Sequence, residues 1–274
     1  MFDQPSEVLS IASRYQAFVF DLDGTILLGE TLLPMAAKTV SELRSRGRTV
    51  LFLTNNTTSR ATEYAFKLTR LGLPVEAEEV VTAAHVLIEM LRHEMPRARL
   101  MVLGENALVT ELELAGFIVT DEESQCDFVI ASFDRSFGYE KLKRAFRAVR
   151  AGARLIATNA DRFRPTAEGG EPDAAAIIAA IEASSGARCE AIVGKPSAAM
   201  TRYLLQRLKA EPRNCLLIGD RLETDILMAN NAGFASALVL TGATSIDEAA
   251  SSVISSTYIL KSLAEILLAQ DGVV

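Results

Sequence analysis

The sequence predicts an α/β fold with parallel sheets, and three observations predict it. Short apolar runs alternate with amphipathic stretches throughout the 274 residues. Glycines stand where several amphipathic stretches stop. Acids, a lysine and Thr-Asn pairs collect where apolar runs end. Strands that alternate with helices are joined by helical crossovers, which makes the sheet parallel and covers both of its faces.

Each element follows from its local pattern. Strands are expected at 17–21, 49–54, 99–103, 127–132, 154–158, 215–219, 236–240 and 257–260, all short apolar runs bounded by polar or turn residues. Helices fit between them at 34–46, 58–71, 83–94, 105–115, 139–151, 173–184, 197–209, 223–232 and 262–269. Gly47 after ELRSR, Gly72 after FKLTRL and Gly152 after FRAVRA sit where a left-handed helix cap belongs. No fixed-period repeat or low-complexity segment interrupts the alternation.

Composition narrows the function classes. Hydrophobic residues are 49% of the chain, enough for a substantial core, and its length suits one large or two modest domains. The net charge of −7 argues against a nucleic-acid surface, which would be basic. A phosphorylated substrate must therefore meet a local positive site. The N-terminus MFDQPSEVLS has acid where a signal peptide needs base, and no run approaches the ~20 apolar residues of a membrane span. Cys126, Cys189 and Cys215 are scattered and odd in number, so they are expected to be reduced, buried and structural. A cytoplasmic protein without a membrane or nucleic-acid partner is expected.

The stretch FVFDLDGT at 18–25 raises a question of electrostatics. Two carboxylates end a strand one residue apart, and at ~4 Å and an effective dielectric of ~20 they repel by about 4 kcal/mol. A cation, a shared proton or a surface turn would each resolve this. In an open parallel sheet, ligands bind outside the carboxyl ends of the strands. Asp21, Thr54 and Asp220 end three strands, Lys195 precedes a helix in GKP, and Asp225 follows Asp220 in GDRLETD. All can therefore reach one edge. Taken singly each is weak: DGT is a common turn, TNN can cap a helix, GKP can be a plain turn and GDRLETD can be a helix start.

In that order, DLDGT, LTNN, GKPS and GDRLETD resemble the four motifs of the haloacid dehalogenase superfamily of phosphatases, across almost the whole chain. FDRSFGYEKL and TNADRFRP, between the second and third motifs, are similar to the cap of its NagD-like branch. The resemblance implies a Rossmann-like parallel-sheet core over 1–82 and 186–274, with an inserted α/β cap over 83–185. It implies a Mg²⁺-dependent phosphatase acting through an aspartyl-phosphate on a sugar phosphate, phosphoglycolate or similar phosphomonoester.

Roles are implied residue by residue. Asp21 is the nucleophile and a metal ligand with Asp220, while Asp23 gives the metal its backbone carbonyl and serves as general acid and base. Thr54 and Asn55 donate to the phosphate, with Gly24 and Asn56 on the same substrate-binding turn chemistry. Lys195 balances negative charge, and Asp225 holds a metal water or Lys195 from behind. Arg164, before Pro165, is the candidate for a second anionic group on the substrate, alongside the reading that it is merely solvated. A homodimer through the cap is the assembly the resemblance suggests.

Some features stand apart. Where many relatives carry a Gly-rich turn in the cap, this chain reads EPDAAA at 171–176. His85 and His93 lie at i and i+8 of one helix with no zinc ligands arranged around them, so they are expected to be packed or solvated. Asp134 and Arg135 are expected to pair in a turn, with Tyr139 covering the next helix. LFLTNN at 51–56 is echoed by LIATNA at 155–160, either because two units share turn chemistry or because the second turn has a role of its own. A dehalogenase of the same fold and a phospho-accepting signalling module are the alternative functions. Asp23 disfavours the first, since halide leaves without a proton, and the length disfavours the second.

Overall fold

Ala17–Asp21 is a strand buried along its whole length, which explains the unbroken apolar run that precedes Asp21. In the computed structural model, which describes residues 10–164 and 169–268, it lies inside a six-stranded sheet. The order across that sheet is Tyr258–Leu260, Ala235–Val239, Cys215–Gly219, Ala17–Asp21, Thr49–Thr54, Val80–Thr82. Ala17–Asp21 pairs in parallel with both neighbours, Val19 facing Leu217 on one side and Leu51 on the other. The chain thus leaves this strand in one direction and returns on the opposite side, making a switch point beside Asp21.

The chain divides into two compact units. The first comprises 1–53, 65–80 and 201–274, and the second 54–64 and 81–200. The second has its own five-stranded parallel sheet, in the order Ala191–Ile192, Arg154–Ala157, Phe128–Ala131, Arg99–Leu103, Ile118–Val119. Its core packs Met101, Leu103, Val129 and Leu155 against Ile177 and Ile181 of the helix Ala174–Ser185. The second unit runs past residue 185 because Ala191–Ile192 pairs with Ile156 and Ala157. It also takes in 54–64, for a reason visible in the buried hydroxyls: Ser132 Oγ lies 2.7 Å from Thr57 Oγ1 and accepts from Thr158 Oγ1 at 2.8 Å.

Several local expectations change. Asp134 does not pair with Arg135: it accepts from Lys141 Nζ at 2.5 Å and from Ser136 N–H at 2.9 Å, while Arg135 reaches Glu171 at 3.1 Å. Lys141 lies in the first turn of the helix Tyr139–Arg150 and so faces back to the loop, whereas the side chain adjacent in sequence points away. Tyr139 covers nothing and is 76% exposed. His85 belongs to a helix cap, its backbone N–H donating to Thr82 Oγ1 while Nδ1 accepts from the Thr82 N–H. Cys215 is buried and Cys126 and Cys189 are half-buried, all three free. Burial pushes the Cys189 and Cys215 thiols up to about 11, so they are inert at neutral pH.

Candidate active site

Within the first unit, Asp21, Asp220 and Asp225 each place a carboxylate oxygen within 4.8 Å of the others. All three are buried. Asp21 and Asp220 stand at the ends of adjacent parallel strands and flank the switch point. Asp225 comes from a π-helical turn, Leu222–Ile226, that widens the entry to the helix Leu227–Ala232. At an effective dielectric of ~20, each pair of ionised acids at this spacing repels by about 3 kcal/mol or more. Hard oxygen donors gathered this closely fit a divalent cation such as Mg²⁺.

The backbone is shaped to let the acids meet. A Cβ on Gly242 would stand 2.6 Å from Asp220 Cγ, and one on Gly24 2.7 Å from the same atom. Gly24 also holds φ +92°, which a side chain would strain. Gly219 is pressed against the Asp225 side chain in the same way. Backbone bonds fix the acids, Ala243 N–H donating to Asp220 Oδ2 at 2.6 Å and Arg221 N–H to Asp225 Oδ2 at 3.2 Å, while Thr241 Oγ1 donates to the Gly24 carbonyl at 2.6 Å. The TGA segment at 241–243 escaped sequence reasoning, although a Thr-Gly pair at a strand end is the signal that could have found it.

Asp23 differs from its neighbour. Its side chain is exposed and is not part of the carboxylate cluster, where Asp225 stands instead. Asp23 lies past the end of the strand, in the turn that Gly24 allows, so the sheet no longer buries it. Among the described residues the side-chain metal candidates are therefore Asp21, Asp220 and Asp225, and the Asp23 carboxylate is not one of them.

Within the second unit, Thr54, Asn55 and Lys195 are all buried. Thr54 Oγ1 accepts from the Asn56 N–H at 3.0 Å, and Asn56 Oδ1 accepts from the Thr58 N–H at 2.9 Å, so both build the turn. Asn55 uses its side chain on the Lys195 backbone, accepting from its N–H at 2.7 Å and donating to its carbonyl at 3.2 Å. Its second amide hydrogen goes to Asp161 Oδ2 at 3.4 Å. Both amide hydrogens of Asn55 are thus committed within the protein.

Arg164 lies in the short strand Phe163–Arg164, paired antiparallel with Glu171–Pro172. Its guanidinium stands 6.0 Å from the centre of the Phe133 ring, and that of Arg135 stands 4.8 Å from it. Glu171 is held below the usual carboxylate range, first by its bond from Arg135 and also by the charge of Arg164. Asp173 of EPDAAA caps the helix Ala174–Ser185, accepting from the Ala174 N–H at 2.6 Å.

Among the described residues no helix is long and apolar enough to cross a membrane. A family model for haloacid dehalogenase-like hydrolases matches residues 18–118, and a HAD-hydrolase-like model matches 192–266. The chain is 34% identical over 256 residues to sugar-phosphatase AraL of Bacillus subtilis (strain 168), spanning 93% of each chain. Its fold is similar to glycerol phosphate phosphatase from Mycobacterium tuberculosis in complex with magnesium, at 34% identity and a TM-score of 0.86, over 94% of this chain and 78% of that one. It is also similar to NagD from E. coli K-12, at 32% identity and a TM-score of 0.83, over 92% of this chain and 98% of that one.

Proposed function

The chain belongs to the NagD-like branch of the haloacid dehalogenase-like hydrolases, which makes it a phosphatase, and from that premise we propose that it hydrolyses a sugar phosphate or glycerol phosphate with Mg²⁺. The observation behind this reading is the cluster of Asp21, Asp220 and Asp225 at the switch point of the first sheet. Mg²⁺ held there would neutralise the acids and draw charge from the phosphate. The likeness to a sugar-phosphatase and a glycerol phosphate phosphatase supports the substrate class.

The remaining steps belong to the chain's own side chains. An Asp21 carboxylate oxygen attacks phosphorus, the bond from phosphorus to the ester oxygen breaks, and Asp23 gives its proton to that oxygen. Water then attacks the aspartyl-phosphate, losing its proton to Asp23, and phosphate leaves with Asp21 restored. The exposed position of Asp23 suits a group that must reach a departing alcohol. The Gly24 N–H is donated to the Leu27 carbonyl at 2.7 Å and shapes its own turn, whereas the Thr54 hydroxyl and the Asn55 turn serve the phosphate oxygens. Lys195 balances their charge, since positioning and electrostatics supply most of phosphoryl-transfer catalysis. Three free thiols suit a reduced, cytoplasmic setting.

Rapid trapping with radiolabelled substrate tests the reading. Wild type should give labelled protein within a turnover, Asp21→Asn none, and Asp23→Asn a label that persists with 4-nitrophenyl phosphate, whose leaving group needs no proton. Label retained on Asp21→Asn would overturn the assignment.

A further inference from the structure

The two Thr-Asn turns at 54–55 and 158–159 meet inside the second unit, and what they enclose is the backbone of Lys195. Asn55 Oδ1 accepts from the Lys195 N–H at 2.7 Å, and Nδ2 donates to the Lys195 carbonyl at 3.2 Å, so one amide grips both sides of one residue. The second turn holds that amide in place. Asn159 Nδ2 donates to the Asn55 carbonyl at 3.4 Å, and Asn159 Oδ1 accepts from the Asp161 N–H at 2.9 Å. Asp161 Oδ2 in turn accepts from Asn55 Nδ2 at 3.4 Å. The Thr158 carbonyl accepts the Gly194 N–H at 2.7 Å, anchoring the residue before the lysine. A Cβ on Gly194 would lie 2.5 Å from both Asn55 Oδ1 and the Thr158 carbonyl, so only glycine lets the segments of this clamp close.

We propose that Asn55 is a positioning residue for Lys195, and that the TNAD turn at 158–161 is the support that orients Asn55. The proposal rests on the reading of Lys195 as the cation that serves the phosphate. A lysine ammonium rides on a flexible four-carbon stem, so a fixed backbone decides which points its charge can reach. Buried amide bonds on both sides of the Lys195 Cα remove that freedom. Asn159 and Asp161 act one step further back, by fixing which way the Asn55 amide faces. The echo in the sequence is then the trace of a single device whose two halves lie about a hundred residues apart.

A double-mutant cycle tests it. Asn55→Asp keeps the side-chain volume and the acceptor for the Lys195 N–H but removes both donors, and Asn55→Ala removes the clamp. Each is made alone and on Lys195→Ala, and steady-state hydrolysis of 4-nitrophenyl phosphate with Mg²⁺ is measured beside thermal unfolding. With Lys195 present, either change should lower kcat by about a hundredfold, the scale of a 1 Å misplacement, with KM little altered. On Lys195→Ala the same changes should cost under about threefold, since nothing remains to position. Equal losses in both backgrounds, or no loss, would overturn the proposal, the first by showing a direct contact or general damage. A second readout needs no turnover: amide hydrogen exchange at Lys195 should be slow in wild type and fast in Asn55→Ala, and unchanged protection there would also overturn it. Full activity in Lys195→Ala would overturn the catalytic reading of Lys195, and the positioning role with it, whatever the exchange shows.

Discussion

Asp21 and Asp23 stand two positions apart in the chain yet one is buried and the other exposed, a difference that suits the proposed roles of nucleophile and proton carrier. Arg164 presents a second such division. Its guanidinium lies beside Phe133 and contributes to the field on Glu171, whose bidentate bonds go to Arg135 instead. If Arg164 receives a second anionic group, Arg164→Ala should raise KM for a substrate bearing a carboxylate or second phosphate by about 1.5–3 kcal/mol equivalent, the worth of a hydrogen bond to a charged group. The same change should leave 4-nitrophenyl phosphate untouched, and equal loss on both substrates would return Arg164 to a structural role. That Asp21 and Asp220 would meet was legible because both stand at the ends of adjacent strands in one parallel sheet. The true work of the Asn55 side chain was not, since an amide in a turn looks the same whether it faces a ligand or a backbone about a hundred and forty positions away.

Elements divide in the same manner. The strands Ala17–Asp21, Thr49–Thr54, Arg99–Leu103 and Cys215–Gly219 stand where the apolar runs placed them, because burial on both faces leaves no other composition open. Ile118–Val119 and Ala191–Ile192 were missed: two residues are too few to show a period, and only their neighbours make them strands. The turn after Leu240 was missed too, and it carries a consequence. The close approach of Gly242 to Asp220 means that Gly242→Ala should push the carboxylate from the cluster. A Mg²⁺ titration of activity should then shift to about 10–100-fold higher concentration, the usual cost of disturbing the surroundings of a metal ligand, with little change in substrate KM. On the helix Asn106–Leu114, burial pushes the Glu111 carboxyl above its ordinary value, more than the Ala61 N–H and Arg60 at 4.0 Å lower it. A carboxyl raised on folding binds its proton more tightly in the native state, so it costs stability as pH rises through the folded value. Urea midpoints of wild type should therefore fall relative to Glu111→Gln as pH rises from about 4.5 towards neutrality, and parallel curves would show that the burial cost is absent.

At the scale of the molecule, an acidic chain of net charge −7 concentrates three buried acids in one of its two units. Their mutual repulsion is a standing cost to the folded state that a divalent cation relieves, and a ligand that binds only the native state stabilises it by mass action. At a hundred times its dissociation constant Mg²⁺ should add about 2.7 kcal/mol. For a body of this size that corresponds to a rise of roughly 5–10 °C in the thermal midpoint. The acids all lie in the first unit, so where calorimetry resolves two transitions only the one that unfolds that unit should move. Asp220→Asn gives the decisive comparison. Without metal it should melt higher than wild type, because one of three repelling charges is gone, and Mg²⁺ should then shift it little. Ca²⁺ should stabilise wild type as well but leave it inactive, since its longer bonds and larger ligand shell misplace an attacking oxygen. A Mg²⁺ shift of equal size in wild type and Asp220→Asn would place the cation elsewhere and leave the carboxylate cluster without the purpose assigned to it.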